Sequence, residues 1–291
     1  MTVSAHHAAA LVASLSILIV NSLAGQTIEP GKLMGIVNEE CSWSPDGKTI
    51  AFDSIRSGRL NVYTWRIDTR ELKQITTTEA NDFTPEWSPD GKQIAFVSDR
   101  TGHNEIFLID LNDGMPRQVT KDNSDAIHPH WSPDGRRVIY CSARDNPNQA
   151  SAPEGKIYEI YTIKADGSDL RQITHDKGLN THPSFSPDGR QILFRKVLGE
   201  TSEVFVMNAD SSSMRNLSDN PVFDAWPRWS PDGRRIVFGS NRENKTDYEI
   251  YITNADGSSV QRLTNLSGHN TSPKWSPDEK KISFDHAAQG E

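Results

Sequence analysis

Two cysteines in 291 residues, Cys41 and Cys141, are too few for a disulfide framework, so a chain of this length must be held by its core. The two fall in different repeats and are expected to be free thiols. Positive charge is scarce too. There are 31 Lys and Arg against 39 Asp and Glu, a net charge of −8 with no basic run, which argues against a surface that binds nucleic acid by neutralising phosphates. No apolar stretch reaches the roughly 20 residues that a membrane-spanning helix needs. The sequence also lacks a G-x-S-x-G elbow, an H-E-x-x-H or C-x-x-C pair, a G-x-G-x-x-G loop and a Walker A motif. A covalent hydrolase is therefore not expected. Hydrophobic residues are only 35%, yet Val, Ile, Phe, Tyr and Trp recur at regular intervals, as many short strands require and a disordered chain would not show.

Residues 1–28 contain no Asp, Glu, Lys or Arg, and residues 8–20 form an apolar run interrupted by Ser14 and Ser16. That run has the length of a signal-peptide core, 7–15 residues, rather than of a membrane span. Ser22 and Ala24 supply small residues for cleavage after Ala24, although the n-region has no Lys or Arg. The expectation is an export signal over residues 1–24 and a mature chain from Gly25. The protein would then be periplasmic or secreted, without stable membrane insertion after cleavage.

The rest of the chain is repetitive. Trp-Ser-Pro-Asp-Gly begins at Trp43, Trp87, Trp131 and Trp229, with Phe185-Ser-Pro-Asp-Gly and Trp275-Ser-Pro-Asp-Glu completing the set, at intervals of 44, 44, 54, 44 and 46 residues. A period in the forties is the length of one four-stranded propeller blade. Each motif is followed by an apolar run such as Ile94-Ala95-Phe96, then by one such as Glu105-Ile106-Phe107, then by a short segment ending like Val119-Thr120. These runs are about five residues long, β-branched or aromatic, and bounded by turn residues, so they read as strands. Ser-Pro-Asp-Gly reads as a turn: Pro fixes φ and Gly takes the left-handed position. The aromatic before it is expected to pack between neighbouring blades. Ser-x-Arg triplets such as Ser98-Arg100 suggest structural ion pairs, Arg100 with Glu105 among them.

Six motifs predict an all-β, six-bladed propeller of four-stranded blades over residues 39–291, with a last blade that the sequence after its motif does not complete. Only seven residues follow Phe284, so the last blade must borrow a strand. The candidate is residues 27–38, within an N-terminal segment (residues 25–38) that would close the ring by pairing the two ends of the chain. The long third repeat places its extra residues at 145–156, a polar loop of the kind that often carries function.

At these residues the chain resembles the TolB-like (WD40-like, PD40-repeat) propellers, built from W-S-P-D-G repeats with a following e-I-y strand and a terminal L-T. The resemblance covers residues 40–284. It implies a periplasmic propeller that binds a protein partner, in a Tol–Pal-type envelope system a peptidoglycan-associated lipoprotein. One departure is that roughly sixteen residues separate Gln26 from Trp43, which leaves no counterpart of the α/β domain that precedes the propeller in TolB. Contact with the TolA component is accordingly not expected.

The innermost strand of each blade should line a central channel. Three residues before each aromatic stand Glu40, Thr84, His128, His182, Trp226 and Ser272; five before stand Asn38, Asp82, Ala126, Asn180, Asp224 and Asn270. Asp82, His128, His182, Asp224, Trp226 and Asn270 are the candidate ligand-binding residues, with the loop 145–156 at the rim. Two histidines fall short of the three protein ligands usual at catalytic zinc, so the ring reads as a wet polar channel, and no metal, other cofactor or catalytic residue is assigned. His130 is expected to pack on the far side of its strand. The expected function is a protein- or peptide-binding scaffold. The alternative is a metal-assisted lyase or hydrolase acting on polysaccharide or peptide at the channel mouth.

Overall fold

The computed structural model describes residues 16–21, 38–145 and 157–287, and every regular element among them is a strand. Strand β1 (Ser16–Asn21) precedes five consecutive four-stranded blades. Blade one is β2 (Asn38–Trp43), β3 (Thr49–Ser54), β4 (Asn61–Arg66) and β5 (Leu72–Gln74). Blade two is β6 (Asp82–Trp87), β7 (Gln93–Ser98), β8 (Glu105–Asp110) and β9 (Pro116–Gln118). Blade three is β10 (Ala126–Trp131), β11 (Arg137–Ser142), β12 (Glu159–Lys164) and β13 (Arg171–Gln172). Blade four is β14 (Asn180–Phe185), β15 (Gln191–Leu198), β16 (Thr201–Asn208) and β17 (Arg215–Asn216). Blade five is β18 (Asp224–Trp229), β19 (Arg235–Ser240), β20 (Glu249–Asn254) and β21 (Gln261–Arg262). The chain finishes with β22 (His269–Trp275) and β23 (Lys281–Ala287).

The expectation of six four-stranded blades is corrected here. There are five such blades and a smaller sixth sheet of three strands, ordered β1-β23-β22. The physical reason is pairing: β23 takes its third strand from Ser16–Asn21, and among the described residues no fourth strand pairs with β1. The borrowed strand also differs from the one expected. It is Ser16–Asn21, antiparallel to β23 with Leu18 opposite Phe284, and not residues 27–38, of which 27–37 lie outside the described residues. Blade one is stitched to this sheet from the channel side. Trp43 Nε1 donates to Ser283 Oγ at 2.9 Å, Cys41 Sγ lies 3.1 Å from the same hydroxyl, and the Glu40 amide donates to Asp285 Oδ2 at 3.1 Å. Both cysteines are buried and free.

The core lies between consecutive sheets. One cluster joins Val97, Ile106 and Leu108 of blade two to Trp131, Val138 and Tyr140 of blade three, and Trp87, Phe185, Trp229 and Trp275 likewise pack against the preceding blade as expected. The turns work as the motif implies. In the first, Ser44 Oγ donates to Asp46 Oδ1 at 2.6 Å and accepts the Thr49 amide at 2.9 Å, while Gly47 sits at φ +67. The short outer strands are tied by the terminal Thr or Ser. Thr120 Oγ1 accepts the Ile106 amide at 2.8 Å and donates to the buried Glu105 carboxylate, and the same arrangement links Thr174 to Glu159 and Thr264 to Glu249.

Glu105 is therefore already engaged, and the Arg100–Glu105 pair expected from the sequence does not form. Arg100 instead reaches Asp82, with Nη2 to Oδ1 at 2.9 Å, and lies over the Phe107 ring at 4.4 Å. Arg144 and Arg242 repeat this with Asp122 and Asp224 while covering Tyr161 and Tyr251. The Ser-x-Arg triplet is thus a cation–π cover on the aromatic pair that links the second and third strands, worth about 0.5–2 kcal/mol depending on desolvation.

A chain starting at Gly25 lacks β1 and would leave the sixth sheet with two strands. Its stability in urea is expected to fall below that of the chain from Met1 by on the order of several kcal/mol, at about 1 kcal/mol per lost ladder hydrogen bond. Equal unfolding midpoints would show that β1 contributes nothing to closure.

Candidate functional site

Every inner strand carries the same irregularity. Pairing with the second strand shifts register between the residues four and one before the aromatic, as between Ile127 and His130 in β10. The residue three before it has left-handed φ in all six: Glu40 (+45), Thr84 (+52), His128 (+55), His182 (+53), Trp226 (+53) and Ser272 (+52). Two inner-strand residues oppose one on the neighbour, which is a β-bulge. Proline follows in five of the six strands, at Pro85, Pro129, Pro183, Pro227 and Pro273. It cannot donate to a ladder, so it belongs at a bulge.

The bulge decides which side chains reach the channel. Asp82, Asp224 and Asn270, five before the aromatic, are fully buried and engaged within the blades. Asp82 accepts from Arg100 and from Thr78 Oγ1 at 3.0 Å. Asp224 accepts from Arg242, and burial pushes its carboxyl up against the hydrogen bonds from Ser240 and Arg242. Asn270 Nδ2 donates to the Tyr248 carbonyl at 3.0 Å and its Oδ1 lies 2.8 Å from His286 Nδ1. The structure therefore does not bring these three together with the other candidates.

It does bring together Glu40, His128, His182 and Trp226. The two imidazoles stack with centroids 3.7 Å apart and 26° between planes. Their Nε2 atoms lie 4.0 and 3.9 Å from Glu40 Oε1. Trp226 stands edge-on to His182 at 6.2 Å and to Tyr248 at 5.2 Å. It fits because residue 239 is glycine: a Cβ there would lie 2.9 Å from Trp226 Cε3. Burial holds the His182 imidazole at about 4 against the attraction of the nearby Glu40 carboxylate, and holds His128 well below its usual value. Burial would raise Glu40, but the proximity of His182 and the potential of His128 and Lys274 outweigh it and keep the carboxyl below its ordinary range. Of the loop expected at the rim, residues 146–156 lie outside the described residues; Asp145 accepts from Tyr161 Oη.

Sequence reasoning missed a second ring, one residue before each aromatic: Ser42, Glu86, His130, Ser184, Arg228 and Lys274. These six, with the six motif aromatics and five of the six turn prolines, line a cavity of about 390 Å³ on the face where the turns meet. His130 belongs to this ring and not to the far side of its strand. The repeated proline was the signal that could have found it, because a proline there marks a bulge. Glu86 is shared by Lys274 Nζ at 3.4 Å and His130 Nε2 at 3.6 Å. Burial would raise Glu86, yet Lys274, His130 and Arg228 keep it below its usual range. Arg228, 7% exposed, spends Nη1 on the carbonyls of Pro227 and His182, while its Nε and Ser184 Oγ have no protein partner. The floor is thus two cations against one carboxylate beneath an aromatic and proline wall.

The chain belongs to the family described as the TolB beta propeller domain (PD40), whose model matches residues 13–154 and 197–291. It is similar to a solved structure assigned to TolB from Agrobacterium tumefaciens, at 27% identity and a TM-score of 0.79 over 94% of this chain and 98% of that one. A Tol-Pal system protein TolB from Bordetella pertussis is 46% identical over 39 residues, 13% of this chain and 9% of that protein. That stretch is shorter than one repeat. A solved oligogalacturonate lyase in complex with manganese aligns over 95% of this chain and 91% of its own at a TM-score of 0.63. At 14% identity it shares the fold alone.

Buried neutral imidazoles make stability depend on pH. His130 and His182 have native values of about 4, below the unfolded value near 6.5. The unfolded state therefore takes up protons first, and stability is full above about 6.5 and lost as pH falls toward about 4. The unfolding temperature is expected to drop over this window, and less steeply in His130→Gln. Parallel slopes for the two proteins would refute the assignment.

Proposed function

We propose that the chain is a binding propeller of the cell envelope, periplasmic or secreted, which docks a protein or peptide partner on the face where the six turns meet. The observation that carries this reading is the 390 Å³ cup, with its aromatic and proline wall and a floor of Glu86, His130, Arg228 and Lys274. Rigid apolar walls around a few fixed charges bind an extended segment at little entropic cost, because none of these side chains has to be ordered on binding. The excess of cations favours a segment that presents a carboxylate. Family membership and the TolB match support a Tol–Pal-type setting, with a peptidoglycan-associated lipoprotein as partner. Among the described residues no helix is long and apolar enough to cross a membrane.

The test is calorimetric titration of the propeller with the soluble part of a peptidoglycan-associated lipoprotein from the same cells. Binding is expected, and Arg228→Gln combined with Lys274→Gln should weaken it at least about tenfold, the equivalent of 1.4 kcal/mol. An unchanged affinity in a folded double variant would move the partner off the cup. No binding by the parent chain would remove the lipoprotein as partner.

A further inference from the structure

One level deeper than the cup, two residues or roughly 6 Å along the inner strands, Glu40, His128 and His182 converge from blades one, three and four. Among the described residues they form a group whose candidate ligand atoms all lie within 4.8 Å of one another. The 3.9 and 4.0 Å gaps from the Nε2 atoms to Glu40 Oε1 are too long for hydrogen bonds. Those gaps suit an intervening ion, which at about 2.0–2.1 Å from each atom would draw nitrogen and oxygen to roughly 3.4 Å.

The other ring nitrogens have partners that can accept a hydrogen bond from Nδ1–H. Cys141 Sγ donates to the Ile127 carbonyl at 3.4 Å, which leaves its sulfur to accept His128 Nδ1–H at 3.3 Å. His182 Nδ1 is 3.1 Å from Thr181 Oγ1. With Nδ1 protonated in both rings, two Nε2 lone pairs and a carboxylate face one another. Imidazoles held through Nδ1 with Nε2 free are the usual arrangement at metal sites.

We propose that Glu40, His128 and His182 bind one divalent first-row transition-metal ion through Glu40 Oε1 and the two Nε2 atoms. Two nitrogens and one oxygen suit zinc, manganese, iron or cobalt, and disfavour calcium and magnesium, which take oxygen ligands. Three protein ligands leave positions open toward the channel. Binding must open the stacked rings beyond their present 26°, so that both in-plane lone pairs meet at the ion. Arg195 and Arg228 act on the same imidazoles and oppose a cation. Glu40 and Asp285, the latter accepting the Glu40 amide, offset them. The site shares no ligand residue with the cup, so its test does not rest on the partner reading.

The test uses the untagged full chain, freed of metal by chelation and titrated with Zn²⁺, Mn²⁺ and Co²⁺, with Mg²⁺ and Ca²⁺ as controls. One transition-metal ion per chain is expected, with an affinity that falls on the order of 100-fold or more in Glu40→Gln and in His182→Gln. The Co²⁺ complex should show no thiolate charge-transfer band, since Cys141 holds His128 rather than the ion. Equal affinity in folded variants, binding of Mg²⁺ or Ca²⁺ as tight as Zn²⁺, or no transition-metal binding at all would overturn the proposal. X-ray absorption on the parent chain decides the matter even if a variant does not fold. Two imidazoles with oxygen neighbours support the site, and any other ligand set refutes it.

Discussion

The left-handed residue in each inner strand is the constraint on which the channel depends. A non-glycine residue held there costs of order 1–3 kcal/mol, and this ring accepts it six times, on Glu, Thr, His, His, Trp and Ser. None of these side chains is chosen to relieve the strain. The surrounding blades must therefore over-determine the backbone, through the proline that follows and the interblade packing of the aromatic two residues later. The bulge leaves two side chains per blade, three and one before the aromatic, directed at the axis. Their identity differs from blade to blade while the aromatic, the turn and the outer-strand hydroxyl recur. Positions that build the ring are thus separated from positions that line its channel.

Closure is the second constraint. Each sheet buries both faces only if it has neighbours, so a ring with a missing edge would expose apolar surface on the two sheets flanking the gap. The structure meets this with β1 on the outside of β23 and with the Trp43, Cys41 and Glu40 contacts on the inside. All of this segment but Asn21 lies within the apolar run that reads as the core of an export signal. Six residues cannot both be removed on export and complete the sixth sheet. The competition arises from composition: an alternating β-branched and leucine run serves equally well as a signal core and as an edge strand.

Much of the fold was legible in the sequence because the repeat states it six times. The strand order within a blade, the Ser-Pro-Asp-Gly turn and the aromatic between blades all follow from residue types whose local physics is nearly context-free. The sixth sheet was not legible in full, since which distant segment completes an edge is a tertiary matter. Arg100 shows the same limit: Glu105 is near in sequence, but Thr120 and two backbone amides already occupy its carboxylate. At the axis, strand alternation nominated His128, His182 and Trp226, which the structure places side by side. It also nominated Asp82, Asp224 and Asn270, which the bulge turns away, and misplaced His130. Pro129 and its counterparts carried the missing information, because a proline inside a central strand contradicts an uninterrupted ladder.

The two levels of the channel differ in chemistry in a way that the ring itself explains. At the turn face, long side chains from different blades meet near the axis, so Lys274 and Glu86 neutralise one another and the remaining cation, Arg228, sets the sign. One level deeper, side chains from blades one, three and four bring two imidazoles and one carboxylate together. Arg228 spans both levels, since its guanidinium reaches the His182 carbonyl at 3.4 Å from the floor of the cup. A group that engages Arg228 from the cup therefore acts on the backbone that presents His182, and the carbonyl it pulls on belongs to the strained residue of that bulge.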